Sequence, residues 1–281
     1  MAREAKLIIA AGMKKVGKTY TTLKEINNYI IMTKRKVLIL DVNNEYGAVK
    51  ADHNPNFAHV KGIAVEDIPK WTLNGIVEIR RVLPITSDGK PLTPDELQGI
   101  MKYILENFKN GVIVLEDLTK IVSDSVSQSL ISMLATQRHA SVDVYIHFQT
   151  IQKVVHPKMW GLSNVIRLHH CEDTVSKHAS KIDNPVGLYI CENLLEIMSE
   201  RTGDRRPCVY YHKEEKKITG AFSQTEFERA IEMYLQDNIT LFNRELAKVD
   251  LKTGKKIHKD RPSCYSYLVS KYKEQFYGNK R

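Results

Sequence analysis

Disulfide chemistry has little to work with in this chain. Its 281 residues hold four cysteines, Cys171, Cys191, Cys208 and Cys264, and no two of them form a Cys-x-x-Cys pair. That spacing predicts reduced thiols in a cytoplasm and speaks against a disulfide framework. His169-His170-Cys171, with His178 nearby, matches none of the usual zinc spacings. No apolar run approaches the roughly 20 residues that a helix needs to cross a bilayer, and the N-terminus lacks the apolar stretch of a signal peptide. Internal repeats and low-complexity blocks are also missing. Apolar residues at 42% and charged residues at 27% suit a soluble globular protein, either one large domain or one domain with an appendage.

What the sequence does have begins at once. An apolar run, Leu7-Ile8-Ile9-Ala10-Ala11, feeds into Gly12-Met13-Lys14-Lys15-Val16-Gly17-Lys18-Thr19, and a helical pattern follows from Thr19 to about Met32. Strand, glycine-bounded loop, Lys-Thr and helix in that order predict a phosphate-binding loop. Gly12 and Gly17 are expected to take positive φ and bring the backbone close to a ligand. The successive N–H groups of Lys14, Lys15, Val16, Gly17, Lys18, Thr19 and Tyr20 would then form a nest for phosphate oxygens. The helix adds free N–H groups and the positive end of its dipole. Lys18 is expected to reach the β- and γ-phosphates and the Thr19 hydroxyl to hold Mg²⁺. A bound nucleoside triphosphate is the prediction.

Further along, Lys36 to Val42 reads as a buried strand with Asp41 near its carboxyl end. About thirty residues rich in Asn, His and Gly, with Pro55 and Pro69, read as irregular surface structure. Ile76 to Val82 looks like a strand, and Thr93-Pro94-Asp95-Glu96 has the cap, first-turn proline and early acids of a helix start. That helix carries Leu97, Ile100, Met101, Ile104, Leu105 and Phe108 on one face and stops at Asn110-Gly111. Next come a strand from Gly111 that ends in Glu116-Asp117, a helix from Ser125 to Arg138, a strand from Val142 to Phe148 followed by Gln149, and a strand from Asn164 to Leu168. Val186 to Met198 and Thr225 to Leu235 read as helices, with a hairpin between them turning at Glu214 to Lys217. Apolar strands alternating with helices predict a mostly parallel sheet covered on both faces. A boundary is expected near residues 220–240, dividing an α/β domain over 1–220 from a helical, basic C-terminal extension over 221–281. From Leu241 onward eleven basic residues face four acidic ones, a surplus of seven in a chain whose net charge is +9. Such a tail is either a solvated end or the footprint of a polyanion partner.

In open parallel sheets, ligands sit at the carboxyl ends of the strands. Asp41, Glu116, Asp117 and Gln149 all end strands on the rim that carries the phosphate loop. One carboxylate there can hold the water shell of Mg²⁺ while a second orients and deprotonates the attacking water, and Glu116-Asp117 supplies both. Gln149 is either a polar cap or a contact to the γ-phosphate. No Asn-Lys-x-Asp occurs, and the acid pair is followed by Leu118-Thr119-Lys120, so the base is expected to be adenine.

Taken together, Gly12 to Thr19, Asp41-Val42-Asn43-Asn44-Glu45-Tyr46-Gly47, Val112 to Asp117, Arg138-His139 before a strand ending at Gln149, and Asn164 to Arg167 resemble the FtsK–HerA superfamily of DNA-pumping ATPases. The likeness covers about residues 5–200 and is strongest to the compact genome-packaging ATPases of viruses. It implies a RecA-like P-loop NTPase fold, with ATP and Mg²⁺ as cofactors. Thr19 and Glu116 would then hold the metal, Glu116 and Asp117 would serve magnesium and water, and Gln149 would sense the γ-phosphate. Arg138 would reach a neighbouring subunit's site as an arginine finger, with Arg167 and Arg80 as competitors. The family usually has Asp then Glu at the strand end; here the order is Glu116 then Asp117, which leaves the base open between them, with Glu45 as an outside candidate. The resemblance further implies a homo-oligomeric ring, a pentamer or hexamer, acting on double-stranded DNA through phosphate contacts, with a capsid portal or vertex protein as a docking partner. No membrane is involved in this expectation, and the location is the host cytoplasm. Alternatives are another P-loop motor, for conjugation or filament assembly, a helicase loader, or a nucleotide-switched binding module.

Overall fold

A computed structural model describes residues 5–47, 60–86, 89–117, 128–137, 140–182 and 184–278. Three five-residue strands are buried at every position: β1 (Leu7–Ala11), β2 (Lys36–Leu40) and β5 (Gly111–Leu115). Strands apolar throughout can only sit inside a sheet with both faces covered. They do so here together with β3 (Lys61–Gly62), β4 (Ile79–Val82), β6 (Val142–Phe148) and β7 (Val165–Leu168). The nine-stranded sheet among the described residues runs β3-β4-β2-β5-β6-β1-β7 in parallel and ends in the antiparallel pair β8 (Val209–His212) and β9 (Lys217–Gly220). This is the mostly parallel α/β architecture expected.

Side-chain alternation along the strands splits the core in two. On one face Val37, Ile39, Val112 and Val114 pack against Leu23 and Ile26 of α1 (Lys18–Thr33). On the other, Leu38, Leu40, Ile113 and Leu115 meet Leu97, Met101 and Ile104 of α3 (Pro94–Asn107) and Phe108, the residue that caps its end. The start of α3 is the expected capping box: the Thr93 and Glu96 side chains each accept the other's backbone N–H, with Pro94 in the first turn. Between α1 and α3 lies one departure from expectation. Pro69 does not mark irregular chain; it opens the short α2 (Ile68–Leu73), which buries Ile68 and Trp71. The neighbouring strand is also shorter than expected, spanning only Ile79–Val82.

After β5 come α4 (Gln128–Thr136), α5 (Ile151–Val154), α6 (Pro157–Leu162) and α7 (Val186–Thr202). Past residue 220 the chain forms α8 (Gln224–Asp237), α9 (Ile239–Leu246) and α10 (Arg261–Phe276). Phe227, Ile231, Leu268 and Phe276 of these helices belong to the same buried cluster as the sheet. None of the described helices is long and apolar enough to cross a membrane.

Register sets the rim. Ala11 pairs with Phe148, Leu40 with Leu115, and Leu115 with Ile146. The chain therefore leaves the sheet on one side at Gly12, Asp41, Glu116 and Gln149. Beneath this rim Arg167 of β7 is wholly buried. Its Nη1 donates to Glu25 Oε2 at 2.6 Å, and its Nη2 donates to Thr22 Oγ1 at 2.5 Å and to the Lys18 carbonyl at 3.1 Å. Breaking a buried ion pair by removing one partner leaves the other charge poorly solvated. Arg167→Ala should therefore lower unfolding free energy by about 3 kcal/mol in urea titrations, with Arg167→Met losing less because its apolar bulk refills the space.

Candidate active site

The loop between β1 and α1 is held from both sides by backbone bonds. Gly12 N–H donates to the Phe148 carbonyl at 3.1 Å, and Met13 N–H to the His170 carbonyl at 2.8 Å. Gly17 takes the expected positive φ of 86°, and Lys15 joins it at 65°. Gly12 does not take a positive φ, and its role is different. A Cβ there would fall 2.6 Å from His169 Cβ and 2.9 Å from Val16 Cγ2, so glycine is needed for close packing. Val16 points inward, 4% exposed, which leaves only its backbone to face a ligand.

Lys14, Lys15, Gly17, Lys18, Thr19 and Tyr20 line one side of a cavity of about 490 Å³. Glu45, Glu116, Asp117 and Gln149 line the other. Sequence-predicted residues from four separate stretches thus converge on one space, of a size that holds a small organic ligand. Arg138 lies outside the described residues. Its competitors are engaged within their own chain: Arg167 is buried as above, and Arg80 pairs with Glu78 and the Gly62 carbonyl.

Lys18, Thr19, Glu116 and Asp117 each have a hydrogen-bond partner at the rim. Lys18 Nζ donates to the Gly12 carbonyl at 2.5 Å and the Met13 carbonyl at 2.8 Å. Burial pushes its pKa down, while Glu116, Glu45 and Asp117 pull the other way. Thr19 Oγ1 donates to Glu45 Oε2 at 2.6 Å. Glu116, 2% exposed, accepts the Tyr46 hydroxyl on Oε2 at 3.1 Å, and His147 Nδ1 lies 2.8 Å from the same oxygen. Burial pushes the Glu116 pKa up, but the His147 ring, the Tyr46 hydroxyl and Lys18 together hold the carboxyl below its ordinary range. On its other side His147 Nε2 is 2.8 Å from Thr22 Oγ1, the oxygen that also accepts from Arg167. The Thr22 hydroxyl, which accepts from Arg167, still has its own hydrogen to give to Nε2, and Nδ1 is the ring nitrogen that faces Glu116. Asp117, with a positive φ of 42°, accepts Gln149 Nε2 on Oδ2 at 2.9 Å.

The donor set suits a magnesium nucleotide. A hydroxyl and carboxylates are hard oxygen ligands. Among the described residues no group of three or more His, Cys, Asp or Glu stands ready to cage a metal. Mg²⁺ needs no such cage, because it takes one or two protein oxygens and completes its shell with phosphates and water.

Four cavity residues were missed by sequence reasoning: Asn43, His147, Phe148 and Arg206. The signal for His147 was available, as a polar residue inside an apolar strand just before Gln149. Arg206 had none. Its stem lies 3.6 Å from where a Gly17 Cβ would stand, and Asp204 holds its Nε at 2.8 Å.

No protein-family model and no curated protein sequence matches this chain. Among solved structures it is similar to the genome-packaging NTPase B204 of Sulfolobus turreted icosahedral virus 2. The complex of that protein with AMPPCP aligns with a TM-score of 0.51 at 15% identity, covering 78% of this chain and 99% of that one. Its complex with ATP-gammaS gives 0.50 at 15% identity, over 76% and 95%. A third, with sulfate, gives 0.50 at 13% identity, over 77% and 96%. At this identity the likeness establishes the P-loop NTPase fold.

The Glu116–His147 contact has a consequence for acid stability. A carboxyl with a depressed folded-state pKa stabilises the fold above its unfolded value of 4.5, and that contribution is lost as pH falls through the folded value. In His147→Gln the lowering influence of the ring is lost and burial weighs more heavily on Glu116. The rise in urea midpoint as pH climbs out of the acid range should therefore be smaller in His147→Gln than in the wild type, while Glu78, Glu226, Glu228 and Glu245, also held below their ordinary range, keep part of it in both.

Proposed function

We propose that the chain is an ATP hydrolase that drives double-stranded DNA, working as a ring of five or six copies to package a viral genome. The observation that carries this reading is the convergence, on one cavity, of Lys18 and Thr19 from the start of α1 with Glu116, Asp117 and Gln149 from two neighbouring strand ends. Lys18 binds the β- and γ-phosphates, and the nest from Gly12 to Tyr20 cradles them. Thr19 and Glu116 hold Mg²⁺, which when bound neutralises charge on the phosphate oxygens. Asp117 and Gln149, joined by their hydrogen bond, face the γ-phosphate and its water.

Support for the DNA reading is electrostatic and comparative. Lys252, Lys255, Lys256 and Lys259 are all exposed, on a chain with a surplus of positive charge. Such residues bind phosphates without sequence preference. The similar solved structures are described as a genome-packaging NTPase in complex with ATP analogues. In this reading residues 1–220 are the motor domain, 221–281 contribute the basic surface, and a portal or vertex protein of the capsid docks the ring in the host cytoplasm. Arg138 completes a neighbour's site by stabilising transition-state charge.

ATP turnover with and without long duplex DNA, taken alongside oligomer mass, tests the proposal. Duplex DNA should stimulate hydrolysis, and Lys18→Ala should abolish it. A rate indifferent to DNA would instead fit a nucleotide-switched binding module. Mixing two inactive variants, Arg138→Ala and Glu116→Gln, should restore part of the activity, because each supplies what the other lacks. No recovery at any ratio would count against a finger acting in trans.

A further inference from the structure

We propose that the proton of the attacking water is taken by Glu45, on the loop after β2, and not by either acid of the Glu116–Asp117 pair. The assignment rests on the ATP hydrolase reading above. Its first support is position: Glu45 Oε2 accepts the Thr19 hydroxyl at 2.6 Å, and the exposed side chain lines the cavity. Thr19 is the residue whose oxygen would hold the metal, so the Glu45 carboxylate stands beside the atom around which metal-bound water would gather.

The loop is built to hold it there. Asp41, fully buried, accepts Glu45 N–H on Oδ1 at 2.9 Å and Tyr46 N–H on Oδ2 at 3.2 Å. Arg81 Nη1 bridges Asp41 Oδ2 at 2.9 Å and Asn44 Oδ1 at 2.5 Å. A Cβ at Gly47 would stand 2.2 Å from Arg81 Nη2, so only glycine lets the guanidinium lie against this turn. Tyr46, next to Glu45 in the chain, donates to Glu116. One loop thus touches both the hydroxyl and the acid of the site.

The rival acids are otherwise engaged. Glu116 is nearly inaccessible, and His147 and Tyr46 both approach its Oε2. Asp117 is shorter, 5% exposed, and already accepts Gln149. In the step assigned here the water oxygen forms the new bond to the γ-phosphorus and one of its O–H bonds breaks. The proton passes to a Glu45 carboxylate oxygen, and the bond from phosphorus to the bridging oxygen breaks with its electron pair leaving on ADP.

The test compares Glu45→Gln, Glu45→Asp and Asp117→Asn with the wild type. Affinity for a fluorescent ATP analogue with Mg²⁺ is measured beside single-turnover hydrolysis and its pH profile. Glu45→Gln should bind within about threefold of wild type and hydrolyse about 100- to 10 000-fold more slowly, with the acid limb of the pH profile gone. Glu45→Asp should recover part of the rate. Hydrolysis by Glu45→Gln within about tenfold of wild type would overturn the assignment. So would a rate loss matched by an equal loss of affinity, which would make Glu45 a clasp for Thr19 alone. An Asp117→Asn variant that binds normally and falls as far as Glu45→Gln would return the role to the acid pair. A wild-type chain that binds the magnesium nucleotide without turning it over would overturn the hydrolase reading itself.

Discussion

A guanidinium with no access to water fixes much of this architecture. Arg167 sits in β7, beside the strand that launches the phosphate loop, and its burial is tolerable only because α1 answers it with three oxygens. Those oxygens belong to Lys18, Thr22 and Glu25, the first two turns of the helix. Desolvating such a charge is costly unless the partners are well placed, so the arrangement binds the start of α1 to the sheet in one orientation. From Thr22 the contacts continue through His147 to Glu116 at the rim. From Glu25 they continue to the Tyr210 hydroxyl on the antiparallel edge. Buried polar groups that find partners in this way rigidify the structure around them, although Arg167 Nε is left without one. Loop, Glu116 and sheet edge are therefore parts of one line of polar contacts.

That line explains why the site is assembled from distant sequence. Parallel strands in register deliver Gly12, Asp41, Glu116 and Gln149 to the same side. Register alone would leave their side chains free to turn. Orientation comes from below, where His147 reaches Glu116, and from the side, where Tyr46 does the same.

Much of the fold could be read from residue pattern, for physical reasons that also mark where the reading ends. Leu7 to Ala11, Lys36 to Leu40 and Gly111 to Leu115 announce buried strands because nothing polar interrupts them, and Thr93 with Glu96 announces a helix start because the cap is local. The strand, the glycine-bounded loop and the helix around Gly17 and Lys18 are likewise local, and Gly17 takes the positive φ expected of it. Residues whose role depends on remote partners stayed illegible. Arg167 passed as a possible finger because its partners lie some 140 positions earlier, in α1. Gly12 was given a conformational role, and the packing of His169 against it, which requires a glycine, is invisible without the third dimension. Pro69 reads as a breaker unless one knows that Ile68 and Trp71 have a core to enter. Arg206 reaches Gly17 only through the path of α7 and the turn after it.

The inverted acid order at the end of β5 also acquires a physical account. At the first position Glu116 is one methylene longer than the aspartate usual in the resembling family. His147 and Tyr46 take up that length by drawing Oε2 toward the interior. At the second position Asp117 is one methylene shorter than a glutamate, and Gln149 holds what reach remains. A proton acceptor must come within about 3 Å of the water it activates. Shortening the second acid draws its carboxylate back by one methylene, with Asp117 still lining the cavity, and the loop after β2 presents another, long-armed and exposed, on the Thr19 hydroxyl. In the assignment proposed for Glu45, the reversal and the loop after β2 are two halves of one exchange of roles, in which reach lost at one strand end is supplied from its neighbour in the sheet.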